Sequence, residues 1–105
     1  MTLLCKTTIG SNNWNGAKSQ ASTFGSNLGG SGRLLTKAEA EGVAVKYRDI
    51  GIHYWLNDYY GYANGSKCAW YVDYDKFINY FYIDRSSGTG PLYVRPVVVI
   101  SKSKL

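Results

Sequence analysis

The sequence predicts an α+β domain in which two helices pack on a small, twisted, mainly antiparallel sheet with long loops. Three observations lead there. Trp14, Ala17, Ala21, Phe24 and Leu28 recur at spacings of three and four, the signature of one helix face. Two alternating aromatic runs, residues 69–74 and 79–84, bracket a short polar turn and read as a hairpin. The run Val97, Val98, Val99 and Ile100 is continuously apolar, as in a central strand buried on both faces.

Residues 3–9 are rich in β-branched side chains and stop at Gly10, Ser11 and Asn12, which predicts a first strand and a turn. The first helix then follows, capped by Asn13 or Asn15 and ended by Gly29 and Gly30. Gly16 and Gly25 each weaken it by about 1 kcal/mol relative to Ala, so its stability must come from packing. Residues 31–33 read as a loop. Thr36 and Glu39 form a capping box, with Leu35 and Ala40 as a modest staple, and start a second helix expected to run from residue 37 to about 45. Residues 49–52 read as irregular and residues 53–56 as the beginning of a strand. Gly61, Asn64 and Gly65 predict a long exposed loop over 57–67. In the hairpin, Trp70, Val72 and Tyr74 share one face and Ala69, Tyr71 and Asp73 the wetter other, with Phe81 and Ile83 opposed to Tyr80 and Tyr82. Residues 85–90 read as a flexible loop, Pro91 opens a last strand over 92–101, and 102–105 as a frayed tail.

At 105 residues the chain is expected to be a single domain, without internal repeats. Twelve basic and seven acidic residues give a net charge of +5, but the basic residues are scattered. No groove-tracking stripe results, so nucleic acid is not the expected partner. No apolar run approaches a membrane span. The start of the chain has no basic segment or apolar run of signal-peptide type, and Cys5 and Cys68 are expected to be reduced thiols rather than a disulfide.

The succession of strand, helix, Arg33-Leu34-Leu35-Thr36, Tyr54-Trp55-Leu56, Gly/Asn loop, Ala69-Trp70 and Val94-Arg95-Pro96 resembles bacterial and phage C-type-lectin-like modules. These are related to the formylglycine-generating-enzyme fold and include the Fibrobacter-type major paralogous domains and a group ending in Val-Arg-Pro. The resemblance extends over residues 14–100, although Leu35 stands where Pro is common. It implies a small mixed sheet, two helices and a long-loop face, which in some relatives is diversified for binding surface ligands. In this chain that face would be residues 53–83.

That segment holds eight of the ten tyrosines and two of the three tryptophans. Trp55, Trp70, Val72, Phe81 and Ile83 are assigned to the core. Asp58, Tyr59, Tyr60, Tyr62, Asn64, Tyr71, Asp73, Tyr80 and Tyr82 form the candidate ligand face, since Tyr supplies rigid contact area and Ser, Gly and Asn adaptable hydrogen bonds. A calcium site at Asn57, Asp58 and Asn64 would lack the six to eight oxygens the ion takes. A Cys68–His53 nucleophile pair would have no orienting third group, and Asp73 and Asp75, imaginable as paired carboxylates, flank Tyr74 at a strand end where turn chemistry explains Asp75. Arg95, in an apolar strand, requires a carboxylate such as Asp84, Asp49 or Glu39, or carbonyls. The expectation is a non-enzymatic module without cofactor or metal, on a virion or bacterial cell surface, that binds a glycan or protein ligand. The alternatives are a virion or assembly subunit using the same face against neighbours or in a homo-oligomer, and a small cytoplasmic inhibitor of a host protein.

Overall fold

The computed structural model describes residues 1–5, 7–42, 53–73, 77–84 and 92–101. It is α+β, with strands β1 (Thr2–Leu4), β2 (Ser31–Leu34), β3 (Tyr54–Ala63), β4 (Ser66–Val72), β5 (Ile78–Tyr82) and β6 (Pro96–Val99), and helices α1 (Trp14–Asn27) and α2 (Lys37–Glu41). The single sheet expected from the sequence is instead two antiparallel three-stranded sheets, ordered β1-β6-β2 and β3-β4-β5. The valine run is the central strand β6, as expected, with Val97 and Val98 buried.

Helix α1 forms where the periodicity places it. The Asn13 side chain accepts from the Gly16 N–H, and the N–H of Leu28 returns to the Gly25 carbonyl. Trp14, Ala17, Ala21 and Gly25 make its buried face. Phe24 is half-buried and Leu28 exposed, so the apolar stripe turns out of the core at its C-terminal end. The helix lies directly on β2, and small residues make that approach possible. A Cβ on Gly32 would collide with the Ala21 carbonyl oxygen, and one on Gly25 with the backbone of Ser31 and Gly32. Gly25 therefore lowers helix propensity while permitting the packing that stabilises the helix. The same requirement corrects the reading of residues 31–33, which are strand and not loop: Gly32 marks close backbone approach.

The predicted capping box starts α2. The Thr36 hydroxyl accepts from the Glu39 N–H and the Glu39 carboxylate from the Thr36 N–H. Arg33 on β2 donates both terminal nitrogens to Glu39, at 2.7 and 2.9 Å, which ties α2 to the first sheet. Described α2 closes at Gly42, and its expected extension to residue 45 lies outside the described residues, as do residues 49–52, Tyr74, Asp75, the loop 85–90, Pro91 and the tail 102–105.

The largest departure from expectation is at residues 57–67. They are the outer half of a β3–β4 hairpin, closed by Asn64 and Gly65 at φ 52° and 78°. Two consecutive positive φ values suit a two-residue turn whose twist matches the strands. The strand at residues 3–9 is correspondingly shorter. β1 ends at Leu4, and the chain follows residues 92–96 by single bonds, Cys5 N–H to Pro96 O and Ile9 N–H to Val94 O. The last strand is likewise confined to Pro96–Val99, because Tyr93 and Val94 are spent joining the sheets. Tyr93 bridges Ser11 on one side and Tyr54 on the other.

The β3-β4-β5 sheet has core on both faces. Trp55 and Ala69 meet Trp14, Ala17 and Ala21 of α1, with Tyr71, Phe81 and Ile83 packed alongside. Tyr54, Leu56 and Val72 meet Leu35, Ala40 and Val97, with Trp70 and Ile78 alongside. Of the expected core, Trp55 and Val72 are buried, while Trp70, Phe81 and Ile83 are half-buried. The expected dry and wet faces are not separated: Ala69 is fully buried on the face that Asp73 marked as wet, and Phe81 pairs with Ala69 while Tyr80 pairs with Trp70. Arg95, 2 % exposed, donates its Nε to the Cys5 carbonyl at 2.6 Å and Nη1 to the Tyr54 hydroxyl at 3.4 Å. Its role is structural, at the seam of the two sheets; Glu39 is engaged by Arg33, and Asp49 lies outside the described residues.

Candidate functional site

The arrangement of the outer sheet begins with two residues that leave the ladder. The Asn57 N–H donates to the Leu35 carbonyl at 2.8 Å, and the Asp58 carboxylate accepts from the Lys37 N–H at 2.8 Å. Diverting β3 toward the start of α2 shifts the β3–β4 register between Trp55 and Tyr59, and it shifts again between Tyr59 and Gly61. Such bulges re-aim side chains. Here they bring Tyr60 over Trp70 and Tyr80, while Tyr59 faces Trp14 at 6.0 Å between ring centroids.

Tyr60 and Tyr80 stack at 3.9 Å with an interplanar angle of 12°. Both meet Trp70 edge-on, at 5.0 and 6.2 Å. The Trp70 ring carries the Lys37 ammonium at 4.6 Å, and Lys37 is in turn paired with Glu41. The cluster thus takes one aromatic ring from each of three neighbouring strands and is closed at one border by α2. Tyr60 and Tyr80 remain 40 % and 44 % exposed. The Tyr80 phenol beside it, together with slight desolvation, raises the pKa of Tyr60.

The nine sequence-predicted residues therefore separate into four groups. Tyr60 and Tyr80 form the stacked pair. Tyr62, 64 % exposed, Asn64 and Tyr82 stand at the hairpin tip, where the Asn64 amide donates to the Tyr82 hydroxyl at 3.2 Å. Tyr59 is exposed beside Trp14, on which the Lys18 ammonium sits 3.7 Å from the ring centroid. The other three have structural duties. Asp58 caps the backbone at Lys37. Asp73 closes the β4–β5 connection, accepting from the Phe77 N–H at 3.0 Å and the Asn79 amide at 3.1 Å. Tyr71 is half-buried against Trp55, His53 and Phe81, and burial, followed by the Asp73 charge, raises its pKa.

Trp70 and Lys37 belong to the stacked cluster and were not anticipated. The alternation puts Trp70 on the drier face of its strand and so in the core; what turns it to this surface is its pairing with Tyr80 on β5 and the register shifts that bring Tyr60 over it. Phe77, 67 % exposed beside the β4–β5 connection, was also missed. The chemistry of the cysteines is quiet. Both are free, and burial raises the pKa of each, which keeps the thiols protonated near neutrality and disfavours nucleophilic attack. His53 packs against Tyr71 at 5.9 Å. Among the described residues no three His, Cys, Asp or Glu side chains gather as a metal site would require, and no helix is long and apolar enough to cross a membrane.

Comparison of the chain with protein-family models, with curated proteins and with solved structures gave no match.

Proposed function

We propose that the chain is a non-enzymatic binding module, of C-type-lectin-like descent, that engages a glycan or protein ligand on a virion or bacterial surface through the Tyr60–Trp70–Tyr80 cluster. The observation that carries this reading is the pair of near-parallel, water-exposed rings held on a third ring by three neighbouring strands. A rigid aromatic surface offers contact area with little conformational entropy left to lose on binding. Its flat apolar faces and phenolic hydroxyls suit a pyranose ring, whose C–H face and hydroxyls match both, or the apolar side chains of a protein surface. Tyr62 and the Asn64–Gly65 turn flank the cluster with the polar groups that would orient such a ligand. The C-type-lectin-like part of this reading rests on the sequence resemblance in Arg33-Leu34-Leu35-Thr36, Tyr54-Trp55-Leu56, Ala69-Trp70 and Val94-Arg95-Pro96.

The test is binding of the whole chain to a glycan array and to immobilised bacterial surface extracts, repeated with Tyr60→Ala and Tyr80→Ala. Saturable binding that each substitution weakens at least tenfold, while the circular dichroism spectrum is retained, is the expected result. Binding that survives both substitutions would place the ligand elsewhere and overturn the assignment.

A further inference from the structure

The geometry points to the outer edge of β5 as a pairing site for a second copy of this chain, joined antiparallel about a two-fold axis at Tyr80. This inference goes beyond ligand binding and does not depend on it. Its first support is which backbone groups face outward. β4 and β5 pair in unbroken register from Cys68↔Tyr82 to Val72↔Ile78. At the two ends, Ile83 N–H bonds Lys67 O and Asp73 N–H bonds Phe77 O. Bonded pairs alternate along an antiparallel ladder, so Asn79 and Phe81 are the residues that bond β4. The N–H and C=O groups of Ile78, Tyr80 and Tyr82 therefore point away from it, and among the described residues no strand lies on that side.

The second support is that this edge lacks the usual protections. The sequence Ile-Asn-Tyr-Phe-Tyr contains no charge and no proline, and its register has no bulge. The outer half of β3, the opposite edge of the same sheet, is disrupted by two register shifts. In a chain of net charge +5 an uncharged edge is also the place where two copies meet with least repulsion.

The third support selects a second copy over an unrelated peptide. A two-fold axis at Tyr80 sets Tyr80 opposite itself and Ile78 opposite Tyr82, using only the outward-facing residues, and Asn79 opposite Phe81 on the other face. Directly opposed residues project to the same face. The two Tyr80 side chains thus leave the join on one face, each turned back over its own β4 onto its own Tyr60, and two three-stranded sheets become one of six. The face remains open, so a dimer doubles the aromatic surface.

Sedimentation velocity of the intact chain, alone and substituted, tests this. Wild type is expected to sediment as a dimer. Tyr80→Lys and Tyr80→Glu, each placing like charges opposite one another, are expected to sediment as folded monomers, and their equimolar mixture to recover the dimer. Tyr80→Cys should cross-link covalently under mild oxidation, and Asn79→Cys should not. A monomeric wild type, a charged variant that dimerises as wild type does, failure of the mixture to recover the dimer, or a dimer that Tyr80→Cys does not cross-link would each overturn the proposal. Since glycan-array binding is scored separately, loss of either reading leaves the other standing.

Discussion

The inner and outer halves of the β3–β4 hairpin use the same residue types for opposite ends. In the inner half, Tyr54, Trp55, Leu56 and Val72 are buried beneath the two helices, and the Tyr54 hydroxyl and ring hold the Arg95 guanidinium. In the outer half, Tyr59, Tyr60 and Tyr62 remain exposed. The difference is one of neighbours rather than of composition. α1 and α2 lie over the inner half, and the chain diverts at Asn57 and Asp58, where both residues bond to the segment leading into α2. Beyond that point the ladder resumes, and Tyr62 stands 64 % exposed. An amphipathic side chain such as Tyr tolerates both settings, so its location decides its use.

The sharpest way to break the contrast is to truncate one aromatic residue from each half. Trp55→Ala removes a fully buried ring whose indole N–H donates to the Asn12 carbonyl at 2.8 Å, leaving both a cavity and an unpaired carbonyl. Denaturant unfolding is expected to show a loss of about 3–5 kcal/mol. Tyr60→Ala, by contrast, is expected to change stability by less than about 1 kcal/mol, the scale of a surface aromatic pair. Comparable losses from the two would mean that the outer half is core as well.

Next in size is Gly32→Ala. The added Cβ meets the Ala21 carbonyl of α1, which is backbone and cannot rotate aside. The expected loss is toward the top of the range of about 1–3 kcal/mol for overpacking, with α1 displaced from β2. Gly65→Ala, at φ 78° with open space around it, strains only the hairpin tip and is expected to cost about 1 kcal/mol. Thermal unfolding of the two variants side by side separates a packing requirement for glycine from a conformational one.

These two glycines also mark what could be read in the sequence and what could not. α1 and the α2 capping box were legible because each is written in local spacing, three or four residues apart. Gly32 signalled a loop, because close approach by a helix from elsewhere in the chain leaves no local mark. Asn64-Gly65 is a strong hairpin signal, but Tyr62, Ser66 and Lys67 around it are exposed, and the stretch lacks the alternation of a half-buried strand. The face assignments failed for a related reason. Asp58 and Tyr59 looked like binding-loop residues until the contacts of β3 with residues 35–37 fixed one as a cap and turned the other toward Trp14. The charge of Asp73 suggests a wet face, but it serves the β4–β5 connection, and Ala69 on the same face is buried against α1.

Asp58→Ala probes the junction between the halves. It removes the acceptor for the Lys37 N–H, a capping-type bond expected to contribute about 0.5–2 kcal/mol. If this bond also fixes the register shift that brings Tyr60 onto Trp70, the substitution should alter Trp fluorescence and weaken ligand binding although Asp58 is not part of the stacked cluster. Unchanged fluorescence with lowered stability would show that the strand holds its register without the cap.

The smallest expected effect concerns the pair that anchors the helix over the inner half. The Arg33 guanidinium, bonded to both carboxylate oxygens, is the main cause that lowers the Glu39 pKa from 4.5 to about 2. A carboxyl held lower in the folded chain than in the unfolded one contributes stability at pH values above its unfolded pKa and loses it as pH falls through the folded value. The contribution should therefore be complete above about pH 5 and disappear between there and pH 2. Both side chains are about one-third exposed, 33% and 35%, and solvent screening limits the pair to the range of about 0.2–1 kcal/mol measured for exposed pairs. Glu39→Gln preserves an acceptor for the Thr36 N–H while abolishing the charge. Its unfolding midpoint is expected to lie slightly below wild type at pH 7 and to converge with it near pH 2, and the inner-half readout, Trp55 burial, should follow. A difference that persists unchanged to pH 2 would assign the loss to the capping geometry instead of the ion pair.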